Sequence, residues 1–238
     1  SVSPSEKTTA RLLPPQRTSM LDTDIPPYYN DFTLYKFLAV IDCFVKRYDS
    51  MTRLMTLAAE NGFSHYAAAN MEAFTPRADV RDMCRQNRCG RYGASWACPP
   101  GCGTLEQAAA DMARCSSGLL VQTTGTLADD FDYEGMQAIA QRHKRSFESF
   151  ARQARLLYPD CLPLTAGTCT LCARCTYPHK PCRFPSRRLS SMEAYGLWVS
   201  DVCRRSGLEY NYGKGTMTYT SCILLRRDQH ADPKGNIS

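Results

Sequence analysis

Long apolar runs are missing from this chain, and none approaches the roughly 20 residues that a membrane-spanning helix needs, so no membrane span is expected. Residues 1–30 carry five prolines, show little periodicity and lack the apolar core of a secretion signal. They read as an extended N-terminal arm on a cytoplasmic protein. A phosphate-binding loop is also missing, because Gly213-Lys-Gly215 is too short to count as one. The basic residues are not interleaved with aromatic stacking positions or a groove-reading motif, which argues against nucleic acid as a partner. Histidine is scarce, with four in the chain. His143 falls on the apolar stripe of a helical pattern and reads as a packed residue. No internal repeat is evident.

Cysteine, by contrast, is abundant. Thirteen of them without a secretion signal argue against a disulfide scaffold, since the cytosol keeps thiols reduced and a domain of this size needs no staples. Metal ligation is the natural explanation. Cys43, Cys115 and Cys203 sit in helical patterns where a small buried hydrophobe suffices, and read as core. The informative stretch is Cys169-Thr-Leu-Cys172-Ala-Arg-Cys175-Thr-Tyr-Pro-His-Lys-Pro-Cys182. Its first three cysteines run C-x2-C-x2-C, the spacing at which three thiolates on a turning backbone face three corners of an iron–sulfur cubane. Structural zinc more often uses two C-x2-C knuckles far apart in the chain; zinc, a disulfide and free thiols remain the alternatives. Cys182 follows at a longer gap and is the candidate fourth ligand. His179, inside the same loop, offers a further ligand or hydrogen-bond donor.

A second gathering of thiols comprises Cys84, Cys89, Cys98 and Cys102, in a glycine- and proline-rich segment that also holds Tyr92 and Trp96. Glycines let the backbone approach an inorganic core, prolines fix the loop without adding donors, and the two aromatic rings are suited to keeping water off. The segments CRQNRCGRYGASWACPPGCGTLEQ and GTCTLCARCTYPHKPCRFPSRRLSSMEAYGL resemble the cysteine-rich family catalogued as domain of unknown function 2284 and described as predicted metal-binding proteins. The resemblance spans roughly residues 60–226. It implies a metal or iron–sulfur protein of bacteria or archaea, and places Cys84, Cys89, Cys98, Cys169, Cys172, Cys175 and Cys182 on motif positions. Cys102 and Cys222 are less typical of that pattern.

Apolar spacing predicts a helix over 33–60, ended by Gly62. A strand over 63–69, the first cysteine loop, and a helix from Thr104, with Gln107 completing a capping box, come next. A strand over 119–123 precedes a long helix with Met136, Ile139, His143, Phe147 and Phe150 on its apolar face. A strand over 162–166 leads into the second cysteine loop. A second capping box, Ser190 with Glu193, opens a helix ending before Gly207, and 216–225 is the last strand. The alternation predicts an α/β fold: a small, largely parallel sheet flanked by helices, with residues 31–238 as a single cysteine-rich metal-binding domain. Both cysteine loops would run from strand to helix. If the strands are parallel, both would emerge at one edge of the sheet, beside helix N-termini at Thr104 and Ser190.

Between Cys169 and Leu189 the chain carries Arg174, Lys180, Arg183, Arg187 and Arg188 and no acid. Such a stretch could raise the potential of a thiolate cluster or dock an acidic redox partner or an anionic small molecule; a solvated basic loop is the plainer reading. The leading functional expectation is an iron–sulfur protein with one or two [4Fe-4S] clusters, in electron transfer or as the redox component of an oxidoreductase. A cluster-dependent enzyme whose open iron site binds an anionic substrate, and a zinc-stabilised interaction module, are the other two.

Overall fold

A computed structural model describes residues 31–227, apart from the side chains of 31–39, 42–44 and 46. The expected arm and the Cys43 side chain lie outside that description. The backbone groups into two units, Ser1–Val40 and Ile41–Ser238. Of the first, only the start of helix α1 (Asp31–Glu60) is described.

Five strands form one mixed sheet: β1 (His65–Ala68), β2 (Cys115–Thr126), β3 (Leu162–Thr165), β4 (Ser190–Ser191) and β5 (Thr216–Arg226), in the order β1-β2-β5-β3-β4. The expected largely parallel sheet is not what forms. β1 with β2, β2 with β5 and β5 with β3 pair antiparallel, and only β3 with β4 is parallel. The reason lies in the last strand. β2 and β3 do run in the same direction, as the intervening helix α4 (Tyr133–Leu157) allows, but β5 enters between them and opposes both. Sequence order cannot reveal such an insertion.

Both faces of the sheet are covered. Along β2, Leu119 and Val121 face one core and Leu120 the other; along β5, Ile223 and Leu225 oppose Cys222 and Leu224 in the same way. The first core receives Leu54 and Ala58 of α1 and Phe147, Phe150 and Ala154 of α4. The second receives Met112 of α3 (Leu105–Ala113) and Val202 and Cys203 of α5 (Val199–Arg205). A strand buried on both sides reads as a continuous apolar run, which is why β2 was legible only at its apolar centre.

His143 is buried as expected, and it is bonded at both ring nitrogens. Nδ1 pairs with Thr123 Oγ1 at 2.9 Å and Nε2 with Ser221 Oγ at 2.7 Å. Ser221 Oγ also accepts from the backbone N–H of Ala166 at 2.8 Å, fixing the exit of β3. Burial pushes the imidazole pKa down to about 3, so it is neutral in the fold.

The helix expected from the Ser190–Glu193 capping box does not form as one element. Ser190–Ser191 is strand β4, Ser191 Oγ accepts from Ala194 N at 3.0 Å, and a 3-10 turn over Glu193–Tyr195 follows. Gly196 then takes φ +78, a left-handed conformation that ends the turn and lets α5 start afresh after Trp198. The other capping box is present: Thr104 Oγ1 accepts from Gln107 N, and Gln107 Oε1 from Thr104 N.

Candidate metal centre

The two cysteine segments are not the strand-to-helix loops expected from the sequence. After β1 the chain makes a 3-10 turn (Met71–Ala73) and then α2 (Ala78–Arg85), which carries Cys84; the first cysteine loop therefore joins α2 to α3. The second joins β3 to β4. Because β1 and β3 run in opposite directions, they leave the sheet at opposite ends, and the shared-edge argument from parallel strands fails.

The loops nevertheless meet, through side chains and backbone. The N–H of Trp96 donates to Cys175 Sγ at 3.5 Å, and its indole Nε1 donates to the carbonyl of Lys180 at 3.0 Å. Its ring meets that of Tyr177 edge-on, with centroids 4.9 Å apart. Gly101 lies so close to the Tyr177 ring that a Cβ on it would stand 2.8 Å from that ring and 2.5 Å from the Ser95 carbonyl. Each loop holds one cis X-Pro peptide, Pro99–Pro100 and Tyr177–Pro178.

The chain leaving the second loop closes the arrangement from the other side. Cys84 Sγ donates to the Glu193 carbonyl at 3.8 Å and Cys102 Sγ to the Ala194 carbonyl at 3.6 Å. Arg77 N, just before α2, donates to the Gly196 carbonyl at 2.8 Å. Arg81 braces the far end of the first loop, donating from Nη1 to the Gly103 carbonyl at 3.0 Å, while its Nε is buried without a partner.

The four thiols of the first group are electrostatic neighbours. Burial raises the Cys84 thiol above its ordinary pKa, and the Glu193 carboxylate, Cys89 and Cys102 push the same way against Arg81. Cys98 is pushed up to about 11, by burial first and then by Cys102, Cys89 and Cys84. Cys102 is raised by burial, with Arg81 and Arg188 opposing. Thiols crowded in this way resist ionising together, and a bound cation would relieve the repulsion while releasing their protons.

Cys175 behaves differently. Burial opposes its ionisation, yet the backbone N–H groups of Tyr177 and Trp96, the Ser95 hydroxyl and the Thr176 N–H hold its thiol below the ordinary value. Donors converging on one sulfur favour the thiolate, the form that ligates metal. Cys169, Cys172 and Cys182 are half-buried on the same loop; nearby Lys144 is pushed below its ordinary pKa by burial, with Glu148 and Cys169 opposing. His179 is exposed.

The twelve described cysteines are all free thiols. Buried in the cores are Cys115, pushed up to about 11, Cys161, pushed up to about 12, and Cys203 and Cys222, also raised; in each case burial is the main cause. Inert packed thiols of this kind suit the core role expected for Cys115 and Cys203, although Cys115 opens β2 and is not helical. Among the described residues no three or more His, Cys, Asp and Glu side chains converge closely enough to hold a single ion. A cubane asks for a wider arrangement, because each thiolate caps a different iron. The donor set itself, four crowded thiols beside a loop with a hydrogen-bonded one, suits a thiophilic metal or cluster.

Sequence reasoning missed the parts that join the loops: Ser95, Tyr177, Arg81 and the carbonyls of Glu193 and Ala194. Tyr177, two residues after Cys175, carried a local signal; the carbonyls carried none. Trp96, expected to cover a core, spans the two loops.

A thiol-rich α/β protein with a mixed five-stranded sheet is the class that this fold and site define. The chain belongs to the family described as predicted metal-binding protein (DUF2284), whose model matches residues 68–225. Comparison with curated proteins and with solved structures gives no significant match.

Proposed function

We propose that the chain is an iron–sulfur protein in which Cys84, Cys89, Cys98 and Cys102 hold one [4Fe-4S] cluster, Cys169, Cys172, Cys175 and Cys182 hold another, and electrons pass between them and a redox partner. The observation that carries this reading is the hydrogen bond from Trp96 N–H to Cys175 Sγ. It sets a residue of the first group's loop directly against a thiol of the second. Iron–sulfur centres, when bound, supply one-electron transfer at a potential tuned by hydrogen bonds to sulfur and by exposure to water.

The chain's own residues have definite parts in this. Trp96, Tyr177 and Thr176 supply N–H donors that stabilise negative charge on Cys175, and the rings of Trp96 and Tyr177 pack edge-on between the loops. Arg81 lowers the cost of ionising Cys84 and Cys102 and anchors the loop through Gly103. Cys102, though less typical of the family pattern, stands with the other three thiols, which favours a full set of four ligands over an open iron corner.

Iron, acid-labile sulfide and zinc measured on anaerobically purified protein test the proposal. Expected are iron and sulfide in near-equal amounts and, on full reduction, paramagnetic resonance signals that broaden or split each other. Stoichiometric zinc in a colourless protein after anaerobic reconstitution with iron and sulfide would replace it with the zinc-stabilised module. A plain sum of two non-interacting signals would remove the electron relay.

A further inference from the structure

Beside the second cysteine loop lies a cleft of about 720 Å³, lined by α4, Leu171 and residues 186–189. That volume falls in the range of about 300–1,000 Å³ typical of small-molecule sites. Its charge is one-sided. Arg145, Arg152 and Arg155 project from one face of α4, at spacings of seven and three residues, and Arg187 faces them from the loop. Glu148 is the sole acid on the lining. Although it stands four residues before Arg152, the spacing that favours pairing, none of these guanidinium groups has an ion-pair partner among the described residues.

A smaller hollow of about 350 Å³ continues the cleft, sharing Arg145, Glu148, Leu171 and Arg187 and adding Lys144 and Thr170. The Lys144 ammonium is held there by the Thr168 carbonyl and the Thr170 hydroxyl. Unlike a solvated basic surface, the cleft is also apolar: Ala151 and Leu189 are buried beneath it, and Leu156, 79% exposed, stands unpartnered at its rim. Arg155 is partly sunk into the site, where burial disfavours its charge; guanidinium stays charged regardless and gains most from an anion brought to it.

We propose that this cleft binds a nucleotide-sized organic polyphosphate. The phosphates would be taken by Arg145, Arg152, Arg155 and Arg187, and the apolar portion would lie along Leu156 and Leu171. Forked guanidinium donors match phosphate oxygens two at a time, and several such cations against one carboxylate call for a ligand with several negative charges. An acidic protein surface would be met by protruding cations on a convex face; a concave site with an apolar floor favours a small molecule. Leu171 lies between Cys169 and Cys172, so the ligand would sit against the loop that carries the second thiol group. The proposal does not depend on which metal that group holds.

Calorimetric titration of the full anaerobically purified chain with ATP, inorganic tripolyphosphate and adenosine tests it. ATP is expected to bind, tripolyphosphate more weakly, and adenosine not measurably. Arg152→Gln and Arg187→Gln, both at exposed side chains, should each weaken ATP about tenfold or more, the loss expected for a charge-assisted hydrogen bond. Leu156→Ser should weaken ATP and leave tripolyphosphate unchanged. Metal content and melting temperature should stay at wild-type values in all three variants, which separates this result from any failure of the iron–sulfur reading. Absence of ATP binding, or binding indifferent to both arginine substitutions, overturns the proposal. Equal affinity for ATP and tripolyphosphate with no effect of Leu156→Ser reduces the site to an anion patch and also overturns it. Preference for a poly-glutamate peptide over ATP, with the same arginine dependence, would replace the small molecule with an acidic protein partner.

Discussion

Gly101 and Tyr177 touch where the two cysteine loops meet, and there is no room between them for a single methyl group: a Cβ at Gly101 would stand 2.8 Å from the Tyr177 ring. The backbone of the first loop is thereby pressed onto the second, beside the Trp96 N–H that bonds Cys175.

Gly101→Ala is therefore expected to push the loops apart. One of the two close neighbours is the Ser95 carbonyl, at 2.5 Å from that Cβ, and backbone cannot swing aside as a flexible side chain can. Overpacking of this kind costs about 1–3 kcal/mol. Thermal denaturation should show the loss, together with faster labelling of Cys175 by a thiol reagent in metal-free protein; a melting temperature and labelling rate equal to wild type would show that the contact is slack.

Cys175→Ala should lower metal content and melting temperature together, because it removes the thiol on which Trp96, Tyr177, Thr176 and Ser95 converge. Cys203→Ala should keep the metal. Its sulfur is buried against Gln122 Nε2 at 3.6 Å and Thr220 Oγ1 at 3.6 Å, so that substitution costs only a small cavity and weak hydrogen bonds, about 1–2 kcal/mol. Metal analysis beside calorimetry distinguishes the two, and metal lost from Cys203→Ala but kept in Cys175→Ala would reverse the ligand assignment.

Binding of zinc, used as a probe of the thiols, to chelator-stripped protein should release protons, since Cys84, Cys98 and Cys102 are held above the ordinary thiol pKa when no cation faces them. Titrating zinc into stripped protein in two buffers of different ionisation enthalpy measures that release. A proton count near zero at pH 7 would mean that these thiols are not the ligands.

His143 sets a pH dependence of folding. Its imidazole titrates near 6.5 when unfolded and at about 3 in the fold, so between those values the unfolded chain binds more protons. Stability is fully present above pH 6.5 and falls as pH drops toward 3, by up to about 1.4 kcal/mol per pH unit. His143→Gln should flatten that slope in denaturant titrations run across the window, whatever it does to stability at pH 7. An unchanged slope would show that His143 is not the group responsible.

Local signals were well placed in the sequence. The Thr104–Gln107 capping box, the apolar stripe of α4 with His143 on it, and the strand segments near 162 and 216 all appear where spacing put them, because each depends on residues within a few positions of one another. Ser190–Glu193 carried the same kind of capping signal and did not open a helix. Pairing of β4 with β3 claims its first residues and Gly196 breaks the run, so a tertiary partner outweighs a local preference.

By itself, the sequence determined the abundance and spacing of the thiols and the membership of a family described as predicted metal-binding proteins, since C-x2-C-x2-C spacing and glycine-proline loops are written in consecutive residues. Tertiary structure alone decided that β5 enters between β2 and β3, which makes the sheet mixed. It also decided that the cysteine loops meet through Trp96, Tyr177 and Gly101 and not through a shared sheet edge, and that Arg187 faces Arg145 and Arg152 across a cleft. Strand insertion, loop docking and cleft formation each depend on contacts between residues tens of positions apart, whose energies come from packing and charge that no local window of sequence contains.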